Sequence, residues 1–279
     1  MGTSAKDVKN RIKSVENTMH ITKAMELVAS SKLKKAKDRM DRSRAYFEIM
    51  RNALADIAAN DSGNKSVFIR QREIKKRCFV VIAGDRGLAG GYNNNVFKLA
   101  LSQMDTESCF VPIGKRSFDF CQRSKLEVLS DEFIVVDSIG RKECAEIGRL
   151  LTKEYAKGSF ESVNIVYTHF DSMLSQTAVT IQILPLAPLE GQSAKNGFVL
   201  YEPGVEAVFN AIVPEYVAGL VYGAVCESYA SELAARRTAM DSASKNAEKM
   251  IDDLSLKYNR ARQNAITQEI TEIVAGAEG

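Results

Sequence analysis

VKNRIKSVENTMHITKAMELVASSKLKKAKDRMDRSRAYFEIMRNALADI, residues 8–57, carries one seven-residue register from end to end. Val8, Val15, Thr22, Ala29, Ala36, Ser43, Met50 and Ile57 form one row, and Ile12, Met19, Glu26, Leu33, Met40, Phe47 and Leu54 form the row that alternates with it. Rows so spaced share one stripe of a helix and describe a coiled-coil seam. Twelve of the fifteen positions are apolar or alanine; at Thr22, Glu26 and Ser43 the seam is weakened, and a buried polar side chain there must find a partner or turn outward. No glycine or proline interrupts the chain between Gly2 and Gly63. The segment therefore predicts a single helix of about 54 residues, or ~80 Å at 1.5 Å per residue. Ser4 is the expected N-cap with Asp7 in the first turn, and Asn60-Asp-Ser-Gly63 supplies the stop.

The far end of the chain reads similarly. Pro214 suits a first helical turn, and the 65 residues after it hold no proline. A second rod of about 61 residues, to Val274, is predicted, with Gly219 and Gly223 weakening its first turns. Alanines at 224, 234, 243, 247 and 261 alternate with Leu220, Leu233, Met240, Met250 and Leu254, which allows close helix approach.

Between the rods the period changes. Residues 78–84, 109–114, 132–136, 163–170 and 177–186 read as strands, and helical stretches at 93–104, 115–123 and 140–157 separate the first four. Alternating units of this kind predict a largely parallel sheet covered by helices, with the last strands antiparallel. The fold class is α/β: a long antiparallel coiled coil of N- and C-terminal helices plus a central Rossmann-like α/β domain. The expected divisions are 1–60 for the first helix, 75–203 for the α/β domain and 204–279 for the second helix. With Ile57 level with Pro214, Val8 falls near Gln263, and residues after about 267 continue as a single helix.

Composition narrows the function. A hydrophobic fraction of 45% with 26% charged residues is that of a globular chain, and a net charge of +3 is too mild to demand nucleic acid. Five cysteines, never spaced C-x-x-C, predict neither a disulfide framework nor a zinc site and fit a reducing compartment. Two histidines, His20 and His169, cannot build a multi-histidine metal centre, and neither is given a role. No run of consecutive apolar residues approaches the roughly 18 needed to cross a bilayer. The opening MGTSAKDVKN reads neither as a signal peptide nor, with Lys6, as a myristoylation site.

Phosphate and catalytic motifs fail in turn. GDRGLAGG at 84–91 follows a strand and precedes a helix, yet its glycines do not form G-x-G-x-x-G. Gly114-Lys115 lacks both the first glycine and the Ser or Thr of a P-loop. The turn is expected to be tight, with Asp85 and Arg86 pairing locally. No G-x-S-x-G occurs, and the acids of the central domain are scattered among bases, 11 against 9 from 105 to 162. No catalytic, cofactor or metal residues are assigned.

Four collinear motifs resemble the gamma subunit of bacterial F-type ATP synthase. ITQEITEIVAGAEG at 266–279 carries its C-terminal signature through Ile266, Thr267, Glu269, Glu272, Gly276 and Ala277, and departs from it at Gly279. NRIKSVENTMHITKAMELVASSKLKKAK at 10–37, GDRGLAGGYNNNVFK at 84–98 and YNRARQNAITQE at 258–269 are similar to the same family, with Ala89 where many members carry cysteine. The resemblance implies a non-catalytic rotary shaft coupling transmembrane ion flow to ATP synthesis or hydrolysis on the beta subunits, with no cofactor of its own. It implies the alpha and beta subunits, the epsilon subunit and the membrane c-ring as partners, at the cytoplasmic face of the cell membrane, with no nucleic acid and no membrane insertion. Met25 and Arg236 would then face acidic loops of the beta subunits. Arg262, Gln263, Thr267 and Glu269 would meet the sleeve around the shaft, and Glu202 in the YEP of 201–203 would lie near the membrane ring or epsilon.

Charge patterning agrees with paired rods. Residues 1–51 hold 13 Lys and Arg against 6 acids, whereas 214–279 hold 7 against 10, so antiparallel partners carry opposite signs. The basic surplus at Lys32, Lys34, Lys35, Lys37 and Arg39 also fits an acidic protein surface or nucleic acid, although few aromatic residues interleave it. Steep salt dependence would mark the nucleic-acid reading, and saturable nucleotide binding would mark a Rossmann-type enzyme.

Overall fold

The structure is a computed structural model, and it describes residues 5–59, 66–104, 107–133, 135–136, 139–186 and 201–277. Ser4, the Asn60–Gly63 stop and Gly279 lie outside the described residues. Ten elements follow in order: α1 (Ala5–Ala59), β1 (Lys76–Ile82), α2 (Tyr92–Ser102), β2 (Glu107–Ile113), α3 (Lys115–Arg123), β3 (Glu127–Val128), α4 (Arg141–Lys157), β4 (Ser162–Phe170), β5 (Gln176–Leu184) and α5 (Val205–Ala277). The chain divides into two compact units, one of residues 31–235 and one of residues 1–30 with 236–279.

In the larger unit the sheet runs β3-β2-β1-β4-β5, parallel except for the antiparallel β4–β5 pair. Strand alternation assigns the two faces. Phe79, Val81, Phe110 and Val166 point to one side, where α2 and α3 cover them with Val96, Ala100, Phe120 and Cys121. Cys78, Val80, Ile82, Val111 and Ile165 point to the other, beneath Ile147, Leu151 and Tyr155 of α4 and Phe209, Val213, Val217 and Val221 of α5. Both faces are thus covered, and β1 is buried along nearly its whole length. In the same unit α1 runs antiparallel to α5: Leu33, Ala36 and Met40 pack with Cys226, Ala230 and Leu233, while Phe47, further along α1, stacks on Tyr216, earlier in α5.

The predicted seam holds throughout α1. All fifteen positions are buried or half-buried. Two of its three polar members are hydrogen-bonded: Ser43 Oγ donates to the Met40 carbonyl at 2.7 Å, and in the smaller unit Thr22 Oγ1 lies 2.7 Å from Ser244 Oγ while donating to the Met19 carbonyl at 2.9 Å; Glu26 is half-buried.

Four expectations are corrected. The second rod does not begin at Pro214; α5 starts at Val205 and carries Pro214 inside it. An interior proline costs about 3 kcal/mol, but Phe209 and Val213 on the preceding turns are fully buried, and burying two such side chains offsets that cost. Register shifts with it: Thr22 meets Ser244 rather than a residue more than one helical turn later, so Val8 is not level with Gln263. Third, residues 132, 133, 135 and 136 form no strand; the edge strand is β3, at Glu127–Val128. The backbone near 133–136 is engaged elsewhere, since Phe133 O accepts from Gly114 N and Val136 N donates to the Asp85 carboxylate. Finally, α5 does contain an 18-residue window of mean hydropathy 1.4, apolar and long enough to cross a membrane, with 44% of it buried. That composition serves the core, where Phe209, Val213, Val217 and Val221 face the sheet.

Gly148 sets how closely α4 meets α5. A Cβ there would lie 2.6 Å from the Pro214 carbonyl oxygen and 2.9 Å from Ala218 Cβ, so only glycine admits this approach.

Candidate functional site

An open α/β sheet offers ligands the crevice beyond the carboxyl ends of its strands where the strand order reverses. Here that point lies beyond β1, between β2 and β4, at the turn 83–91. The turn's polar groups are already committed. Gly84 N donates to Asn93 Oδ1 at 2.9 Å, and Gly84 O accepts from Arg116 N at 3.0 Å. Asp85 Oδ1 accepts from Lys115 N at 3.1 Å and Val136 N at 3.0 Å, tying β1 to the start of α3 and to the loop before α4. The sequence predicts a local Asp85–Arg86 pair; Asp85 Oδ1 also accepts from two backbone N–H groups.

Glu232 of α5 closes the mouth. It is only 4% exposed, and a Cβ on Gly84 would lie 2.7 Å from its Cδ and Oε1. A phosphate approaching Gly84 would meet the buried Glu232 side chain, whose carboxyl group occupies the space beside the turn. This crevice is shaped for packing against α5. Sequence reading missed Glu232, because nothing local to residue 232 marks it as the neighbour of residue 84.

A second cluster joins α1, β4 and α5. Glu227 Oε1 lies 2.9 Å from both Arg44 Nη2 and His169 Nδ1, and His169 Nε2 is 3.6 Å from Asp171 Oδ1. Burial, with the Glu227 carboxylate beside it, pushes the Tyr167 hydroxyl far above its ordinary pKa. The histidine left without a role thus belongs to an interhelical polar contact, whereas His20 is exposed.

The residues expected to touch partners are distributed as follows. Met25 on α1 and Arg236 on α5 are half-buried in the smaller unit. Arg262, Gln263, Thr267 and Glu269 fall together on the last turns of α5, where every described side chain from 262 to 276 is exposed. Polar groups there bond along the helix: Thr267 Oγ1 donates to the Gln263 carbonyl at 2.9 Å, and Gln268 Nε2 to Glu272 Oε1 at 2.9 Å. Ile266, Ile270, Ile273 and Val274 are each about half to two-thirds exposed on the same stretch, at 48%, 56%, 65% and 52%. Glu202 is exposed in a bend before α5 and belongs to the other unit.

Known proteins resemble this chain along its whole length. The family described as ATP synthase matches residues 4–279. An ATP synthase gamma chain from Ruminococcus albus is 44% identical over 274 residues, covering 96% of each chain. One from Acetobacterium woodii, described as sodium ion specific, is 38% identical and covers 100% of this chain and 99% of its own. Among solved structures, a chain in the OSCP/F1/c-ring assembly of Euglena gracilis mitochondrial ATP synthase shares the fold with a TM-score of 0.69 at 17% identity, covering 98% of this chain and 93% of that one. A chain of the central stalk and c-ring of the Tetrahymena thermophila enzyme gives a TM-score of 0.61 at 24% identity, covering 80% of this chain and 99% of its own. Paired seam helices, a sheet whose ligand mouth is closed by its own chain, and kinship at this level over the full length converge: the chain belongs to the ATP synthase gamma-chain family.

Proposed function

We propose that this chain is the central rotary shaft of an F-type ATP synthase, non-catalytic itself, which turns within the catalytic ring and couples ion flow to ATP synthesis or hydrolysis on the beta subunits. The observation that carries the reading is the end of α5, exposed at every position from 262 to 276 yet studded with Ile266, Ile270, Ile273 and Val274. An isolated helix presenting such a face is unfavourable in water, and a smooth apolar sleeve in which it turns removes the cost. Few fixed polar contacts are needed for sliding, and the local side-chain bonds of this stretch run along its own helix.

In this reading Arg262, Gln263, Thr267 and Glu269 meet the sleeve of alpha and beta subunits, and Met25 and Arg236 face acidic loops of beta. Glu202 lies near epsilon or the c-ring, and the chain works as a peripheral subunit on the cytoplasmic face of the membrane. The functional divisions are the helix of 1–60, the α/β domain of 75–203 and the helix of 204–279. Closure of the switch-point mouth by Glu232 supports a non-catalytic role. Native co-purification tests the proposal: alpha and beta subunits are expected with the tagged chain, and the isolated chain is expected to hydrolyse no ATP. Recovery without either subunit, or turnover that survives repurification, overturns it.

A further inference from the structure

Beside the start of α4, in the larger unit, α1 and α5 leave an open hollow of about 360 Å³ lined by Lys35, Asp38, Arg39, Arg42, Arg141 and Tyr222. Positions 35, 39 and 42 follow helical spacing and share one face of α1, and Arg141 adds a fourth cation from the first turn of α4. Against them stands a single lining carboxylate, Asp38. Among the described residues none of the four cations is ion-paired with an acid.

Two of the three arginines, Arg39 and Arg141, are nevertheless held in place by neutral groups. Arg39 Nε donates to Tyr222 Oη at 3.0 Å, its Nη2 donates to the Ile139 carbonyl at 2.7 Å, and its guanidinium sits 5.1 Å from the Tyr222 ring centroid. Arg141 lies over the Tyr46 ring at 5.4 Å and over the Tyr222 ring at 5.8 Å. Such contacts orient a guanidinium without neutralising it, and leave charge and N–H donors for an outside acceptor. One nearby acid is already occupied, since Glu143 accepts from Gly140 N at 2.8 Å.

We propose that this hollow binds the pyrophosphate group of a di- or triphosphate anion, with Arg42 and Arg141 as its principal ligands and Lys35 and Arg39 completing the cradle. Four cations against one carboxylate leave a surplus of about three charges, which matches a pyrophosphate near neutral pH, and planar guanidinium forks suit phosphate oxygens bidentately. The hollow has room for two adjacent phosphate groups. It is separate from the crevice that Glu232 closes, and the proposal does not depend on the shaft reading.

Calorimetric titration of the full-length chain with magnesium-free sodium pyrophosphate, and in parallel with a nucleoside triphosphate, tests it. Saturable one-to-one binding is expected for at least one of the two, weakening as sodium chloride is raised. The double variant R42Q/R141Q should bind at least about tenfold more weakly while still unfolding cooperatively, since both side chains are exposed and only the Arg141 ring contacts are lost. Asp38→Asn should instead tighten binding several-fold, an opposite change that loss of folding would not produce. Absence of saturable binding by the wild type, equal affinity in R42Q/R141Q, or a response only to vesicles of anionic phospholipid overturns the proposal.

Discussion

Deleting residues 268–279 separates the two environments that the end of α5 can occupy. The deletion removes Ile270, Ile273 and Val274, which are 56%, 65% and 52% exposed. It also removes the Gln268–Glu272 and Thr271–Thr267 hydrogen bonds, both at the surface. No described residue from 268 to 276 is buried, so the isolated chain should lose less than about 1 kcal/mol of unfolding free energy. Inside a sleeve the balance differs. Covering the exposed halves of three branched side chains contributes about 1 kcal/mol each, or ~3 kcal/mol together, which is roughly a hundredfold in association. Urea unfolding followed by far-ultraviolet circular dichroism reads the first quantity, and reconstitution with alpha and beta subunits reads the second. A truncated chain less stable by more than about 2 kcal/mol would show that the tip packs within its own chain, and assembly as tight as wild type would remove the sleeve.

Other consequences follow from single contacts. Thr22→Val should cost about 1 kcal/mol by stranding the Ser244 hydroxyl, whereas Thr22→Val with Ser244→Ala should come back near wild type; additive losses in the double-mutant cycle would show that the 2.7 Å contact is not an energetic pair. At the α4–α5 crossing, Gly148→Ala forces a Cβ to 2.6 Å from the Pro214 carbonyl and should destabilise by about 2 kcal/mol, which a lowered urea midpoint would register. Hydrogen bonds from its own N–H and from Gly140 N–H hold the Glu143 carboxyl below its ordinary pKa. Its contribution is therefore present above the unfolded carboxyl pKa and lost as pH falls through the lowered folded one, so the melting curves of Glu143→Gln and wild type should differ at neutral pH and converge only once the pH is taken below the ordinary carboxyl range. Burial pushes the Cys121 and Cys144 thiols up to about 12, so alkylation of these two in the folded chain at pH ~8 should be as slow as unfolding; fast labelling of either would contradict their burial.

What the sequence could reveal depended on how local the deciding interaction is. The α1 seam was legible because a seven-residue period is a property of the chain itself, and all fifteen positions turned inward together. Strands β1, β2, β4 and β5 were legible for the same reason, as was α3 at 115–123. The stretch at 132–136 failed because its strand-like composition was outweighed by a distant acceptor: Asp85, 51 positions earlier, takes the Val136 N–H. Pro214 misled because a missing N–H marks a helix boundary only when packing is weak, and here buried Phe209 and Val213 extend the helix back to Val205. Among the site residues, the exposed tip could be read from its apolar positions, but the union of Arg42, Arg141 and Tyr222 arises only when α4 is laid against α1 and α5.

Besides the missing phosphate-loop glycines, one glycine and one glutamate set this sheet apart from the nucleotide-binding domains it resembles in topology. A doubly wound sheet always produces a crevice beyond its switch point, and a ligand occupies it only if the chain leaves it open. Here α5, long because its other turns belong to the seam, also passes the mouth, and Gly84 lets the Glu232 carboxylate lie against the turn. The same helix thus supplies seam residues such as Ala230 and Leu233 and, between them, the plug at Glu232. Packing a charged group into that position is costly unless it is satisfied, and Glu232 does have a partner within the chain. A nucleotide at this turn would have to displace the Glu232 carboxylate, which is carried by the helix whose Val217, Val221 and Val225 lie in the core. In this chain the sheet's ligand crevice has therefore become part of the attachment of a long helix, which is the arrangement a torque-bearing subunit requires of its central domain.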